Sequence, residues 1–313
     1  MTVQKMPIRT LDLLDLPALY TYRDRAVGFD STRALTGGNQ IGMGWGTYIN
    51  PSRRIYGAVA EQDGASLMGG VLQNRGEPFA KLLYLAPDSR LDHPELPALL
   101  EKLAAEAGTW GVFHVIAEVE ESSDALPALR QAGFSVYAWQ RMWDVSELAG
   151  DPAPVNWERA RSIHLPAIQS LYQQIVPPLL QPVEQMPRSA GGYICTEGVR
   201  CYISSSTGAY GIVLHPLIHP EATQVSEKLL GLVQGMPERR KRRVYICVRS
   251  YQAWLEHLLA DLGGKPGPRQ AVMVKHLAHL VKEEQPALAK QPAGVRSVQP
   301  SRVSRMRGGS GTA

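Results

Sequence analysis

Cysteine is scarce in this chain: three residues in 313, Cys195, Cys201 and Cys247, all in its second half. An odd number without paired spacing makes neither a disulfide framework nor a zinc knuckle, so the sequence predicts reduced thiols in or beside strands. Long apolar runs are missing as well. None approaches the ~18–20 residues that cross a bilayer, and the N-terminal Met1–Pro7 has no apolar stretch behind its charge, which argues against a secretory signal. No membrane span and a cytoplasmic location are therefore expected. The eight histidines form no metal set. His215 and His219 have helical spacing, but each precedes a proline, which favours extended backbone, and no metal site is expected. The glycine run Gly37–Gly46 has no buried strand before it and no lysine-serine pair after it, so it meets neither nucleotide fingerprint. No serine occupies a nucleophile elbow.

Acid is absent from the tail. From Gln285 onward the chain carries Lys290, Arg296, Arg302, Arg305 and Arg307 with no aspartate or glutamate. Its Pro, Ser, Gly and Gln content cannot bury enough apolar surface to offset ordering, so residues 285–313 read as a disordered basic tail. A second basic cluster, Arg239, Arg240, Lys241, Arg242 and Arg243, is compact and internal. Together these positions carry more positive charge than the chain's net +4. They read as a solvated loop plus tail, or as a weak contact for a polyanion, which needs several such charges at physiological salt.

What the chain does contain, it contains twice. His93-Pro94-Glu95 followed by Glu101-Lys102-Leu103 returns as His219-Pro220-Glu221 followed by Glu227-Lys228-Leu229. Leu16-Pro17-Ala18-Leu19 is echoed by Leu165-Pro166-Ala167-Ile168, and helical stretches stop at Gly133-Phe134 and Gly263-Gly264. A period of well over a hundred residues is too long for a solenoid, whose repeats run roughly 20–50 residues. It suits a complete small domain. The sequence thus predicts domains at 1–150 and 151–284, joined by the stiff linker Asp151-Pro152-Ala153-Pro154, with the tail behind them.

Each half reads strand, helix, helix, three strands, helix, strand, helix, strand. In the first, strands are expected at Ile8–Leu11, Ile55–Glu61, Ser66–Asn74, Phe79–Ala86, Val112–Val119 and Phe134–Val145. Helices are expected from Asp15 and over Arg33–Tyr48, Pro94–Ala107 and Asp124–Ala132. In the second, helices are expected at Leu165–Val176, Pro220–Val233 and Gln252–Leu262. Strands fall at Gly192–Cys195, Val199–Ser205, Tyr210–Leu214, Val244–Val248 and Gln270–His276. The fold class is α/β, with mixed sheets flanked by helices.

Leu85-Ala86-Pro87, leading into Arg90 and a leucine-rich helix, with Ala60–Gly64 before Gly69-Gly70 and Leu129–Phe134 running into Gly-Phe, resembles the GNAT superfamily of acyl-CoA N-acyltransferases. The likeness covers residues 7–146, with a weaker copy over 155–281. It implies two tandem GNAT-like domains. The activity it implies is acyl transfer from acetyl-CoA or another acyl-CoA to the amine of an unknown acceptor, with the first half the working copy. In that family the backbone at Leu83 and Leu85 would align the thioester and Arg90 would meet a phosphate. The glycine-rich segment with Trp45 and Tyr48 lies where the family binds its acceptor.

The pyrophosphate loop departs from the family pattern. His93 and Glu95 stand at its two glycine positions, with Pro94 between them. Proline has no N–H to give, and Glu95 puts a carboxylate where the anion would sit. A carboxylate at a helix start gains ~0.3–1 kcal/mol from the helix dipole, so this loop reads as a self-capped helix. The family's general-acid tyrosine is replaced by Leu129 and Leu259. Tyr84 and Tyr137 are the candidate substitutes, and Glu118 or Glu120 the candidate base acting through water. The sequence leaves two readings open: an acyltransferase, or a catalytically degraded pair that binds or scaffolds without using CoA.

Overall fold

The computed structural model describes residues 8–12, 15–37, 50–62, 65–150, 157–184, 186–187, 191–195, 199–236 and 239–277. The glycine run beyond Gly37 with Trp45 and Tyr48, the Asp151–Pro154 linker and the basic tail lie outside them. The first half supplies β1 (Ile8–Thr10), α1 (Leu16–Thr21), β2 (Val27–Gly28), α2 (Ser31–Gly37), β3 (Arg53–Gln62), β4 (Ala65–Asn74) and β5 (Phe79–Ala86). It continues with α3 (Leu96–Thr109), β6 (His114–Glu120), α4 (Ala125–Gln131) and β7 (Ser135–Asp144). The second supplies β8 (Trp157–Arg159), α5 (Leu165–Ile175), β9 (Tyr193–Cys195), β10 (Cys201–Thr207), β11 (Gly211–Ile218), α6 (Val225–Gly235), β12 (Arg243–Arg249), α7 (Trp254–Asp261) and β13 (Lys265–His276). Among the described residues no helix is long and apolar enough to cross a membrane.

Local chemistry repeats where the sequence does. Gly133 and Gly263 take φ of +83° and +85°, a left-handed turn that glycine adopts without steric cost. Phe134 N–H bonds Leu129 C=O and Gly133 N–H bonds Arg130 C=O; Gly264 and Gly263 repeat the pair onto Leu259 and Ala260. Both helices therefore end in the same Schellman closure. The His-Pro-Glu turns match too. Glu95 N–H donates to His93 Nδ1 at 3.2 Å, and Glu221 N–H to His219 Nδ1 at 3.2 Å. Only the first turn runs straight into a helix. The second continues to Gln224, itself left-handed at φ 53°, so α6 starts at Val225 rather than Pro220.

The halves are joined by more than apolar contact. All the long strands lie in one sheet of order β1-β3-β4-β5-β6-β13-β7-β12-β11-β10-β9-β8. In the first half, β7 does not return to β6; it pairs antiparallel with β12, from Tyr245↔Asp144 to Arg249↔Gln140. In the second, β13 does not return to β12; it pairs with β6 from Gln270↔Glu120 to His276↔His114. The last strand of each half thus closes the sheet of the other, and β7 and β13 pair between them. Side chains follow the ladder: Ala271 and Met273 of β13 are buried in the core under α3 and α4.

β5 and β6 run parallel only over Phe79↔His114 to Lys81↔Ile116 and then part. A bulge falls at the parting, since Gly70 faces Tyr84 while Val71 faces Leu82, leaving Leu83 extra. β11 and β12 part in the same way after Leu214↔Ile246.

Candidate functional site

Both partings are filled by the chain itself. In the first half, β2 lies between β5 and β6. Phe29 N–H donates to Leu83 C=O at 2.9 Å, Val27 pairs with Leu85, and Asp88 N–H donates to Arg25 C=O at 2.7 Å. On the far side Glu118 N–H donates to Phe29 C=O at 2.9 Å. The backbone edge that the family resemblance assigns to thioester alignment, at Leu83 and Leu85, is therefore occupied by residues 25–29, which departs from that expectation. In the second half, the buried Gln252 side chain bridges the gap, accepting from Ile218 N–H at 3.0 Å and donating to Pro216 C=O at 2.8 Å. The Arg90 turn and the His93–Glu95 cap lie just past the end of β5.

The open space lies elsewhere. A cavity of about 590 Å³ sits between the halves, walled by Lys81, Glu118 and Tyr137 on β5, β6 and β7 and by His215, Cys247 and Arg249 on β11 and β12. Two of the four catalytic candidates from sequence, Glu118 and Tyr137, reach it; Glu120 is exposed at the end of β6 and does not line it. Nor does Tyr84. It is fully buried in the cluster with Leu19, Met68 and Leu83, its ring over Gly70, where a Cβ would lie 2.7 Å from it.

The cavity wall is rich in buried charge, which must be paired to persist. Lys81 Nζ lies 3.0 Å from Asp30 Oδ2, and Arg33 N–H donates to the other Asp30 oxygen at 3.1 Å. Burial disfavours charge on Asp30, but Lys81 and the Arg33 N–H outweigh it and hold the carboxyl below its usual range. Burial likewise opposes the Lys81 ammonium, and Asp30 and Glu118 raise it nonetheless. Across the cavity Arg249 Nε lies 3.0 Å from Glu184 Oε1. Burial pushes the Cys247 thiol up to about 12 and raises Tyr137 as well, so both stay protonated at neutral pH.

A continuous hydrogen-bonded line runs from Glu118 to Arg249 of the second ion pair. Ser31 N–H donates to Glu118 Oε2 at 2.9 Å, and Ser31 Oγ donates to Gln270 Oε1 at 2.8 Å. Gln140 Nε2 donates to the same Gln270 oxygen at 2.9 Å. Arg249 and the Cys247 thiol both donate to Gln140 Oε1. Gln270 belongs to β13, so the exchanged strand carries the central link.

Sequence reasoning missed Asp30, Lys81, Glu184, His215 and Arg249. The available signal was a charge inside an otherwise apolar strand, as Lys81 in Phe79–Ala86, since such a charge is almost never buried without a partner.

His215 gives a pH prediction. Burial, with Arg249 and Lys81 nearby, lowers its pKa to about 3, below the unfolded value of ~6.5. The unfolded chain then binds the extra proton first, so stability falls as pH drops from about 6.5 toward 3, by up to ~1.4 kcal/mol per pH unit. Urea midpoints for His215→Gln should show a flatter slope than wild type below pH 6. Equal slopes would remove His215 from the effect.

The basic run is partly committed. Arg239 donates to Ser146 C=O, Arg242 donates to Gly208 C=O at 2.9 Å, and Arg243 lies 3.6 Å from Asp144. The reading of five side chains all directed to water is corrected to that extent. Among the described residues no group of three or more His, Cys, Asp or Glu is placed to hold a metal ion.

No protein-family model matches this chain, and no curated protein matches it in sequence. Solved structures do. A GCN5-related N-acetyltransferase from Sphaerobacter thermophilus is 13% identical, with a TM-score of 0.50, over 88% of this chain and 97% of that one. A tandem GNAT protein from the clavulanic acid biosynthesis pathway is 16% identical, with a TM-score of 0.49, over 88% and 100%. The first likeness shows the fold, and with the repeated order of elements the chain carries the GNAT fold twice.

Proposed function

We propose that this chain is a doubled GNAT-fold protein whose ligand site is the cavity between its halves, and that it does not hold acyl-CoA along β5. The supporting observation is the pairing of residues 25–29 with β5, from Leu83 to Asp88. Those backbone groups are the ones an extended pantetheine arm would need, and they already have partners. The cavity of about 590 Å³ lies within the ~300–1,000 Å³ of small-molecule sites. Its paired charges, hydroxyls and neutral imidazole suit a compact polar ligand.

A second reading, acyl transfer from acetyl-CoA or another acyl-CoA to an unidentified amine, is favoured by Glu118 standing on the cavity wall next to the β5–β6 gap. Under it, residues 25–29 must leave β5 before Leu83, Leu85 and Arg90 meet the cofactor, and the His93–Glu95 cap must open. Calorimetric titration separates the two. Acetyl-CoA and desulfo-CoA are expected to give no saturable heat up to ~1 mM. The double substitution His93→Gly and Glu95→Gly should not restore binding, because the strand edge stays filled. Low-micromolar affinity in the wild type would establish the acyltransferase reading instead.

Polyanion contact, in this proposal, falls to Arg240, Lys241 and the tail. Such binding should weaken steeply with salt.

A further inference from the structure

We infer that Cys195 and Cys201 form a reversible dithiol–disulfide couple at the end of the β9–β10 hairpin. The register places Tyr202 opposite Ile194 and Ile203 opposite Tyr193. One step toward the turn, the same register sets Cys201 opposite Cys195. Directly opposed residues in an antiparallel pair have Cα atoms about 4.5–5.5 Å apart, inside the roughly 4.4–6.8 Å that a disulfide spans. The side chains share a face: Tyr193, Cys195, Cys201 and Ile203 all enter one core cluster, while Ile194 and Tyr202 enter another. Sequence spacing alone hides this pairing, since five residues separate the cysteines and only the hairpin brings them together.

Both cysteines are buried, and the space beside them is a second cavity, about 330 Å³, lined by both with Arg200, Glu221, Thr223 and Lys228. Two of these are cations, and the Lys228 side chain is buried. Cys247 is the internal contrast. It lies mid-strand, bonded to Gln140, with no second cysteine opposite, as its cross-strand partner is Met142.

The oxidant is a low-molecular-weight disulfide. One cysteine thiolate attacks it, forming a mixed disulfide and releasing one thiol. The second cysteine then attacks the protein sulfur of that mixed disulfide, closing Cys195–Cys201 and releasing the second thiol. Both protein protons end on the two thiols released, and the oxidant takes up the two electrons.

The test uses the full chain incubated with oxidised glutathione, quenched with iodoacetamide and digested with trypsin. Cleavage after Arg200 separates the cysteines, so the disulfide appears as peptide 189–200 linked to peptide 201–228. That linked species should dominate, disappear on addition of dithiothreitol, and persist in Cys247→Ala. Counted after denaturation, the thiols of the wild type should fall from three to one. Stable glutathione adducts on Cys195 or Cys201, or alkylation of both after oxidation, would overturn the inference. So would a link between two chains, read by non-reducing electrophoresis. Cys247→Ala keeps the pair intact, so the test does not depend on the folding of Cys195→Ser.

Discussion

Residues 1–150 expressed alone should be recovered as aggregate or as an unstable chain, and co-expression with residues 151–284 should recover a soluble one-to-one complex. The reason is the exchanged strand. Without β13, β6 loses the ladder from Glu120 to His114, and β7 loses its partners on both sides, β13 and β12. Ala271 and Met273 also leave the first core. Unpaired edges of that length are templates for association, and the missing core side chains leave apolar surface wet at ~25 cal/mol per Å². Size-exclusion chromatography and circular dichroism on the separate and mixed halves would decide. A folded, monodisperse monomer of residues 1–150 would mean that β7 can return to β6, and would refute the dependence.

Arg249→Ala should cost about 3 kcal/mol or more, the effect of leaving a buried charge without its counter-ion. Side chains in the Arg249–Glu184 pair are 16% and 13% exposed, and the guanidinium also holds the Gln140 amide. Removing it strands the Glu184 carboxylate and leaves Gln140 Oε1 with the Cys247 thiol as donor. The same substitution at Arg269, whose pair with Glu121 is 46% and 48% exposed, should cost no more than ~1 kcal/mol. Replacing both partners, as Arg249→Leu with Glu184→Leu, should recover much of the loss, since a buried pair competes poorly with apolar residues of similar size. Urea denaturation of the wild type, Arg249→Leu, Glu184→Leu and the double variant closes the cycle, with Arg249→Ala and Arg269→Ala measured beside it. A loss below 1 kcal/mol for Arg249→Ala would show that water reaches Glu184.

The sequence was most legible where local chemistry decides. The strand Phe79–Ala86 is delimited by proline and by a continuous apolar run. The glycine stops at Gly133 and Gly263 mark helix ends because only glycine takes that turn without cost. Pairing between distant strands was not legible, because alternation fixes which face a residue occupies and not which strand lies beside it. That is why the exchange of β7 and β13 is absent from the sequence reading, and with it the role of Gln270. β2 was missed for a different reason: Val27–Gly28 is too short to carry a periodicity. The site suffered accordingly. Glu118 and Tyr137 were visible as strand-borne polar groups, whereas Asp30 and Glu184 sit in connections and acquire meaning only opposite Lys81 and Arg249.

The strand exchange also bears on inheritance. A duplicated gene normally leaves one copy free to decay, because the other remains a complete protein. Here neither copy is complete, as each encodes the closing strand of its neighbour. A deletion that returned the gene to a single unit would have to re-route that strand in the same event. Changes in β13 are tested against the core beneath α3, and changes in β7 against β12. The two copies can diverge in the side chains they turn to the cavity, as Glu118 on β6 and Cys247 on β12 already have, while neither can be discarded.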